Sequence, residues 1–310
     1  MRNRWMARIG ASFIVAASLA SVSAATADNQ SESVPDKSAI IGGSTAPSGK
    51  WPFQVALVTT GWGDNYEAER CGGTLIDKFH VVTAAHCVDG YSPHELRVVT
   101  GTQSLVKGGT RRKIAKIRIH PRYDENTTDY DIAVVTLMTP ATEVPYFVTL
   151  IAPHQERDLA KAGTSSIVIG WGSTLRNSGG YPEQLQQVAV PIVAQNDCND
   201  RNSYDGEITD RMICAGFNKA KKDSCDGDSG GPLIVRDEDG RWRLQAGIVS
   251  WGAAPCAAPN QPGVYSRVAV LSLWVKRIVA NDASFVATLD CEQLQGQGQR
   301  SCMQARARRN

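Results

Sequence analysis

Asp223-Ser224-Cys225-Asp226-Gly227-Asp228-Ser229-Gly230-Gly231-Pro232 is the stretch that decides how the rest of this chain reads. Ser229 stands among small residues, which leave its hydroxyl open and let backbone approach a bound carbonyl. One aspartate lies directly before it (Asp228) and another six residues before it (Asp223), with Cys225 between them to pin the loop. A serine hydroxyl is a weak nucleophile near neutral pH, so it needs a base in hydrogen-bond reach and a third group to orient that base. Histidine suits the base role because it titrates close to neutrality. Gly227-Asp228-Ser229-Gly230-Gly231 on its own is only a G-x-S-x-G pattern and decides little without partners elsewhere in the chain.

Outward from that stretch the chain is built of short apolar runs separated by Gly, Pro, Asn and Asp. Phe53-Gln54-Val55-Ala56-Leu57, Ile132-Ala133-Val134-Val135, Ile167-Val168-Ile169 and Gly247-Ile248-Val249 are examples. Two stretches alternate: Ala115, Ile117 and Ile119 against Lys116, Arg118 and His120, and then Val188, Val190 and Ile192. Period two with frequent turn signals predicts an all-β, antiparallel protein, for which closed barrels or sandwiches are the physical solutions. One helix is expected late, about Val270 to Asn281, where Leu271, Trp274, Val275 and Ile278 recur at helical spacing.

The stretch around Ser229, taken with Val81-Val82-Thr83-Ala84-Ala85-His86-Cys87 and Asp131-Ile132-Ala133-Val134, resembles the chymotrypsin/trypsin family of serine proteases. The order His, Asp, Ser separates that family from α/β-hydrolases and subtilisins. The resemblance implies two six-stranded antiparallel β-barrels followed by a C-terminal helix. The first barrel would run from about Ile40 to Leu150 and the second from Ile151 to Val268, with a small helix after Thr83. It implies a triad of Ser229 as nucleophile, His86 as base and Asp131 as the group that orients it. Asp129 lies two residues before Asp131 and shares its face in an extended chain, so spacing alone leaves both open; the apolar run that follows favours Asp131. His80, His94, His120 and His154 lack the family context and read as surface or structural residues.

By the same resemblance the N–H groups of Gly227 and Ser229 form the oxyanion hole, glycine permitting the conformation that aims the first of them. Asp223 takes the floor of the primary specificity pocket, where a buried carboxylate is costly unless a substrate Arg or Lys pairs with it. Ser224 adds a hydrogen bond beside it, Ser250-Trp251-Gly252 and Gly263 form walls with room for a long side chain, and Asp226 sits at the rim. Asp226, an acid where trypsin is neutral, is expected to disfavour substrates with Asp or Glu near the scissile bond. Ile40-Ile41-Gly42-Gly43 resembles the mature N-terminus, whose freed α-amino group would pair with Asp228. Ala39 precedes the cut and Lys37 lies two residues too early, so a protease selective for basic residues should not activate itself. A separate activating protease is the partner implied, besides protein or peptide substrates with Arg or Lys before the scissile bond.

Composition sets the frame. Met1 to about Ala27 has a basic start, a short apolar run and small residues at its end, the layout of a secretory signal peptide too short to anchor in a bilayer. Residues 28–39 read as a pro-segment, 40–281 as the protease domain and 282–310 as a polar, basic extension at the surface. The expected location is secreted, extracellular or periplasmic, with no membrane span. A formal charge of +2 on 310 residues, with no aromatic-basic interleaving, argues against nucleic acid as a partner. Eight cysteines behind a leader read as a disulfide framework, since no C-x-x-C spacing supports zinc. The family pairings imply Cys71–Cys87, Cys198–Cys214 and Cys225–Cys256, leaving Cys291 and Cys302 to each other. No cofactor or metal is expected. The segment Gly101 to Arg112 that resembles the family's calcium loop offers no carboxylate, and a calcium-dependent melting shift traced to it would contradict that. Two other readings stay in view. A catalytically inert binding module would leave Ser229 unlabelled by an active-site phosphonate, and an esterase would turn over esters but few amides.

Overall fold

The computed structural model describes residues 40–292 apart from 178, 220 and 221, with residues 288 and 290–292 described by backbone alone. The strands of the first half are β1 (Ser44–Thr45), β2 (Gln54–Thr59), β3 (Glu69–Leu75), β4 (His80–Thr83), β5 (Leu96–Thr100), β6 (Thr110–Ile119) and β7 (Ala133–Leu137). Those of the second are β8 (Thr149–Leu150), β9 (Ser165–Gly170), β10 (Gln186–Val193), β11 (Met212–Ala215), β12 (Pro232–Arg236), β13 (Trp242–Trp251) and β14 (Gly263–Arg267). Helices α1 (Asn65–Ala68), α2 (Pro153–Leu159) and α3 (Gln195–Cys198) are short, and α4 (Val268–Glu292) closes the described chain.

Strands β2-β3-β4-β7-β6-β5 close into one antiparallel barrel, β2 pairing with both β3 and β5. Strand β9 pairs with both β10 and β12, which closes β10-β11-β14-β13-β12-β9 into a second six-stranded barrel. The protein is thus all-β with two antiparallel barrels. Alternation explains why β10 fits: Val188, Val190 and Ile192 are buried in the second barrel with Leu233 and Val249, while the residues between them face outward or lie half-buried. In β6 the alternation is interrupted by a register shift between Ile114 and Lys116, which turns the Lys116 side chain toward α4.

The boundaries differ from the expected ones in three places. The first barrel runs from Gln54 to Leu137, not from Ile40 to Leu150. Ile40 lies in the core of the second barrel, β1 adds to β10, and β8 runs parallel beside β13. The expected helix after Thr83 is a hydrogen-bonded turn, with Val88 and Asp89 N–H both donating to Ala85 O. The late helix does not stop at Asn281. Residues 282–292 continue it because Asp282 and Leu289, seven residues apart, fall on its buried face. Asp282 is 3% exposed and accepts from Lys116 Nζ (2.7 Å) and Thr136 Oγ1 (2.8 Å) on β6 and β7. Burial alone would raise its carboxyl, but those two partners outweigh burial and hold it below the usual carboxylate range. A polar residue therefore carries the helix onto the first barrel, where apolar periodicity gave no sign of it.

Candidate active site

Asp131 enters β7 almost fully buried at the seam of the barrels, and every contact it makes orients something. Its Oδ2 accepts from His86 Nδ1 (2.8 Å) and from Ser250 Oγ (2.5 Å), its Oδ1 accepts from the His86 backbone N–H (2.9 Å), and its carbonyl accepts from Ser266 Oγ (2.5 Å). A carboxylate only accepts, so His86 carries its proton on Nδ1 and presents a lone pair at Nε2. Asp129 does something else. It holds Arg211 (Nη2, 2.6 Å) and Thr209 (2.8 Å). Tyr130 between the two aspartates has φ +55°, a left-handed residue that breaks the extended alternation and sends them apart. His94 and His154 are exposed; His80 is buried on Asp77, and His120 is buried against Tyr130.

The nucleophile segment is fastened to the histidine segment at several points. Gly72 N–H donates to Ser229 O (2.7 Å), and Thr83 Oγ1 donates to Gly72 O (2.8 Å). Gly230 has φ +78°, and a β-carbon there would run into Thr83 Oγ1 and come within 3.1 Å of Cys87 Sγ. Cys87 follows His86 in the chain and is bonded to Cys71, which precedes Gly72. The backbone of Ser229 is thereby set against the His86 turn. Among the described residues no hydrogen bond links the Ser229 hydroxyl to His86, and His86 Nε2 lies 3.7 Å from Cys87 Sγ. Such bonds are commonly long without substrate and tighten in the reacting complex.

Before Ser229, Gly227 has φ +95°, and Asp228 is fully buried. Asp228 accepts from Gly172 N–H (2.9 Å, Oδ1) and Cys225 N–H (2.9 Å, Oδ2). Burial pushes its carboxyl up to about 7, against those two bonds and with help from the charges of Asp223 and Asp226. Glycine is required at 170 and 172, since a β-carbon at either would collide with the Asp228 carboxyl. Ile40 is fully buried beside β10 and β11 with Val188 and Ile213, and Ile41 O accepts from Asp223 N–H (3.3 Å).

A pocket of about 660 Å³ opens beside Ser229, with Asp223, Ser224, Gly252 and Gly263 in its lining. Asp223 is 5% exposed; its Oδ2 accepts from Ala257 N–H (2.9 Å), and among the described residues its Oδ1 meets no donor in hydrogen-bond geometry. Burial pushes its carboxyl up to about 6 despite the hydrogen bonds around it. A β-carbon at 263 would stand 2.8 Å from Asp223 Oδ1, so glycine there keeps that oxygen reachable, while one at 252 would stand in the pocket lining with only Gly263 Cα within 4 Å. Ser224 Oγ lies 3.3 Å from the Tyr265 hydroxyl, Asp226 is exposed at the rim, and Ser250 reaches the pocket only as wall because its hydroxyl is taken by Asp131.

Disulfides join Cys71–Cys87, Cys198–Cys214 and Cys225–Cys256, the last linking the nucleophile segment to the opposite pocket wall. Cys71, His86 and Cys87 come close enough to suggest a metal site, but the two sulfurs are bonded to each other and offer no thiolate. The pairing of Cys291 with Cys302 lies outside the described side chains, as do the leader and the pro-segment. Gly72, Gly170, Gly172 and Ala257 had no functional reading in the sequence. All four act through backbone N–H groups or missing side chains, which residue type alone does not reveal.

A family profile described as Trypsin matches residues 40–275. Trypsin of Sus scrofa is 37% identical over 250 residues, covering 79% of this chain and 97% of that protein. Serine proteinase stubble of Drosophila melanogaster is 37% identical over 244 residues, covering 76% of this chain and 30% of that protein. Transmembrane protease serine 11G of Rattus norvegicus is 38% identical over 237 residues, covering 76% of this chain and 54% of that protein. The chain therefore spans nearly all of the first relative but about half or less of the other two. No helix among the described residues is long and apolar enough to cross a membrane.

Proposed function

We infer the chemistry from one premise: this chain belongs to the trypsin family and is a serine endopeptidase. Ser229 attacks the scissile carbonyl while His86 Nε2 takes its proton, later giving it to the leaving amine. Asp131 holds the imidazole tautomer and stabilises the imidazolium, the mechanism known for this family's triad. The N–H groups of Gly227 and Ser229 receive the oxyanion, each such donor typically worth about a hundredfold or more in rate. Water then resolves the acyl-enzyme by the same steps in reverse.

Cleavage follows Arg or Lys, and the unpartnered Asp223 Oδ1 at the pocket wall is the observation that carries this reading. A buried carboxylate oxygen left open by Gly263 gains most from a cationic group brought in by the substrate. Chromogenic amides ending in Arg and Lys should outpace those ending in Phe and Ala by on the order of a hundredfold in kcat/KM. The Arg-to-Ala ratio should fall as pH drops through about 6. Below that value the free Asp223 binds a proton and can no longer pair with the cation, whereas titrations shared by both substrates cancel in the ratio. A preference for Phe would sink the pocket assignment. The same library, extended past the scissile bond, should show acidic residues disfavoured beside Asp226. Labelling of Ser229 by an active-site phosphonate separates this enzyme from an inert relative.

The protein is made as a zymogen, exported by its leader and activated by another protease cutting between Ala39 and Ile40. Ile40 is a β-branched residue with φ +22°, a region such residues avoid. Cutting there frees an α-amino group at Ile40. Purified uncut protein should remain uncut for hours when a trace of the Ile40-starting enzyme is added to it. N-terminal sequencing that finds spontaneous conversion to an Ile40 start would count against a separate activator.

A further inference from the structure

Arg176 lies in the connection between β9 and β10, and Cys256 of the pocket wall lies with its neighbour Ala257 in the connection between β13 and β14. No strand pairing joins these two loops. Three hydrogen bonds do. Cys256 N–H donates to Arg176 O (3.1 Å), Arg176 Nε donates to Cys256 O (3.0 Å), and Arg176 Nη2 donates to Ala257 O (3.0 Å). One exposed side chain thus holds two consecutive carbonyls with its planar fork, a geometry that lysine cannot reproduce. Ala257 has φ +56°, a left-handed conformation that residues with a β-carbon seldom adopt. Its N–H donates to Asp223 Oδ2 at 2.9 Å.

We propose that Arg176 is a positioning residue for substrate recognition: its guanidinium fixes the Cys256 and Ala257 carbonyls, which keeps the strained Ala257 N–H aimed at Asp223. This rests on the reading of Asp223 as the pocket floor. Without the guanidinium, Ala257 relaxes toward an ordinary φ and its N–H leaves Asp223. The carboxylate then loses a donor that favours its ionised form, and the substrate cation loses a fixed partner. The disulfide Cys225–Cys256 keeps the two walls joined, so the pocket survives while its floor loosens. Around Asp223 the other titratable groups are Asp228, Tyr204, Tyr265 and, in the pocket lining, Asp226 and Arg176 itself. Among the described residues the Arg176 guanidinium bonds the Cys256 and Ala257 carbonyls.

The test compares activated wild type, Arg176→Ala and Arg176→Lys on amides ending in Arg and in Ala. Arg176→Ala should raise KM for the Arg amide by about five- to tenfold, with kcat within about twofold, as expected for losing charge-assisted hydrogen bonds at a partly solvated site. It should leave the Ala amide unaffected and move the fall of the Arg-to-Ala ratio to higher pH. Arg176→Lys should lie between, since an ammonium can hold one carbonyl. An unchanged KM, an equal loss on both amides, or an unmoved pH dependence would overturn the proposal. A wild type without preference for Arg would instead remove the Asp223 reading beneath it.

Discussion

Asp131→Asn should lower kcat of the Ile40-starting enzyme by about four orders of magnitude while leaving KM for an Arg amide nearly unchanged; the magnitude is the one known for this family's triad. The geometry says why an isosteric change costs so much. The new amide must place its oxygen at one of the two carboxylate positions and its NH2 at the other. The Oδ1 position receives the His86 backbone N–H, a donor that cannot rotate away. The oxygen is therefore forced there, and the NH2 lands at the Oδ2 position, facing His86 Nδ1 and Ser250 Oγ. Ser250 can turn its hydroxyl to accept. His86 must then become an acceptor at Nδ1, which moves its proton to Nε2. In that tautomer Nε2 has no lone pair for the Ser229 proton, so the base is lost although every heavy atom stays in place. Steady-state kinetics beside a melting curve would check this. A loss below about tenfold, or one carried by KM, would mean that Asp131 does not set the tautomer.

The same residues show what could be read in the sequence and what could not. The nucleophile stretch, the histidine turn and the strand after Asp131 stand in the chain as contiguous words, and the structure brings them to one seam. Asp129 and Asp131 could not be separated from spacing, because the choice lies in the backbone of Tyr130, whose left-handed φ no pattern of polarity announces. The end of α4 was misplaced for a related reason. Asp282 looks like solvent-facing polarity until Lys116 and Thr136, more than a hundred residues earlier, appear opposite it. Ile40 reads as the start of the first barrel by order along the chain, yet burial puts it in the second. Local chemistry was legible, and long-range partners for polar groups were not.

Asp228→Asn should cost the Ile40-starting enzyme on the order of a hundred- to several-thousandfold in kcat/KM, the equivalent of about 3–5 kcal/mol for removing one member of a buried charge pair. Asp228 is fully enclosed, and burial pushes its carboxyl up to about 7. An acid raised in this way weakens the folded state as pH climbs from the unfolded value toward 7, because the folded protein then holds a proton that the unfolded chain has released. A nearby cation would reverse that penalty, and on the proposed activation the α-amino group freed at Ile40 is that cation. An amide cannot take this part. It carries no charge, and one of its ends must turn an NH2 toward either Gly172 N–H or Cys225 N–H, both of which are donors. The close approach that makes glycine obligatory at 170 and 172 leaves the amide no room to shift away. The strain falls on Gly227 to Ser229, the segment meant to aim two N–H groups at the oxyanion. The wild type should also lose activity at alkaline pH as the α-amino group deprotonates. Its pKa is raised by pairing, so the stabilisation is present below its unpaired value near 8 and is lost as pH rises through the paired one. In Asp228→Asn that alkaline limb should vanish, because the pair is already gone. A variant that retains more than a tenth of wild-type kcat/KM, or keeps the alkaline limb, would show that Asp228 is not the switch.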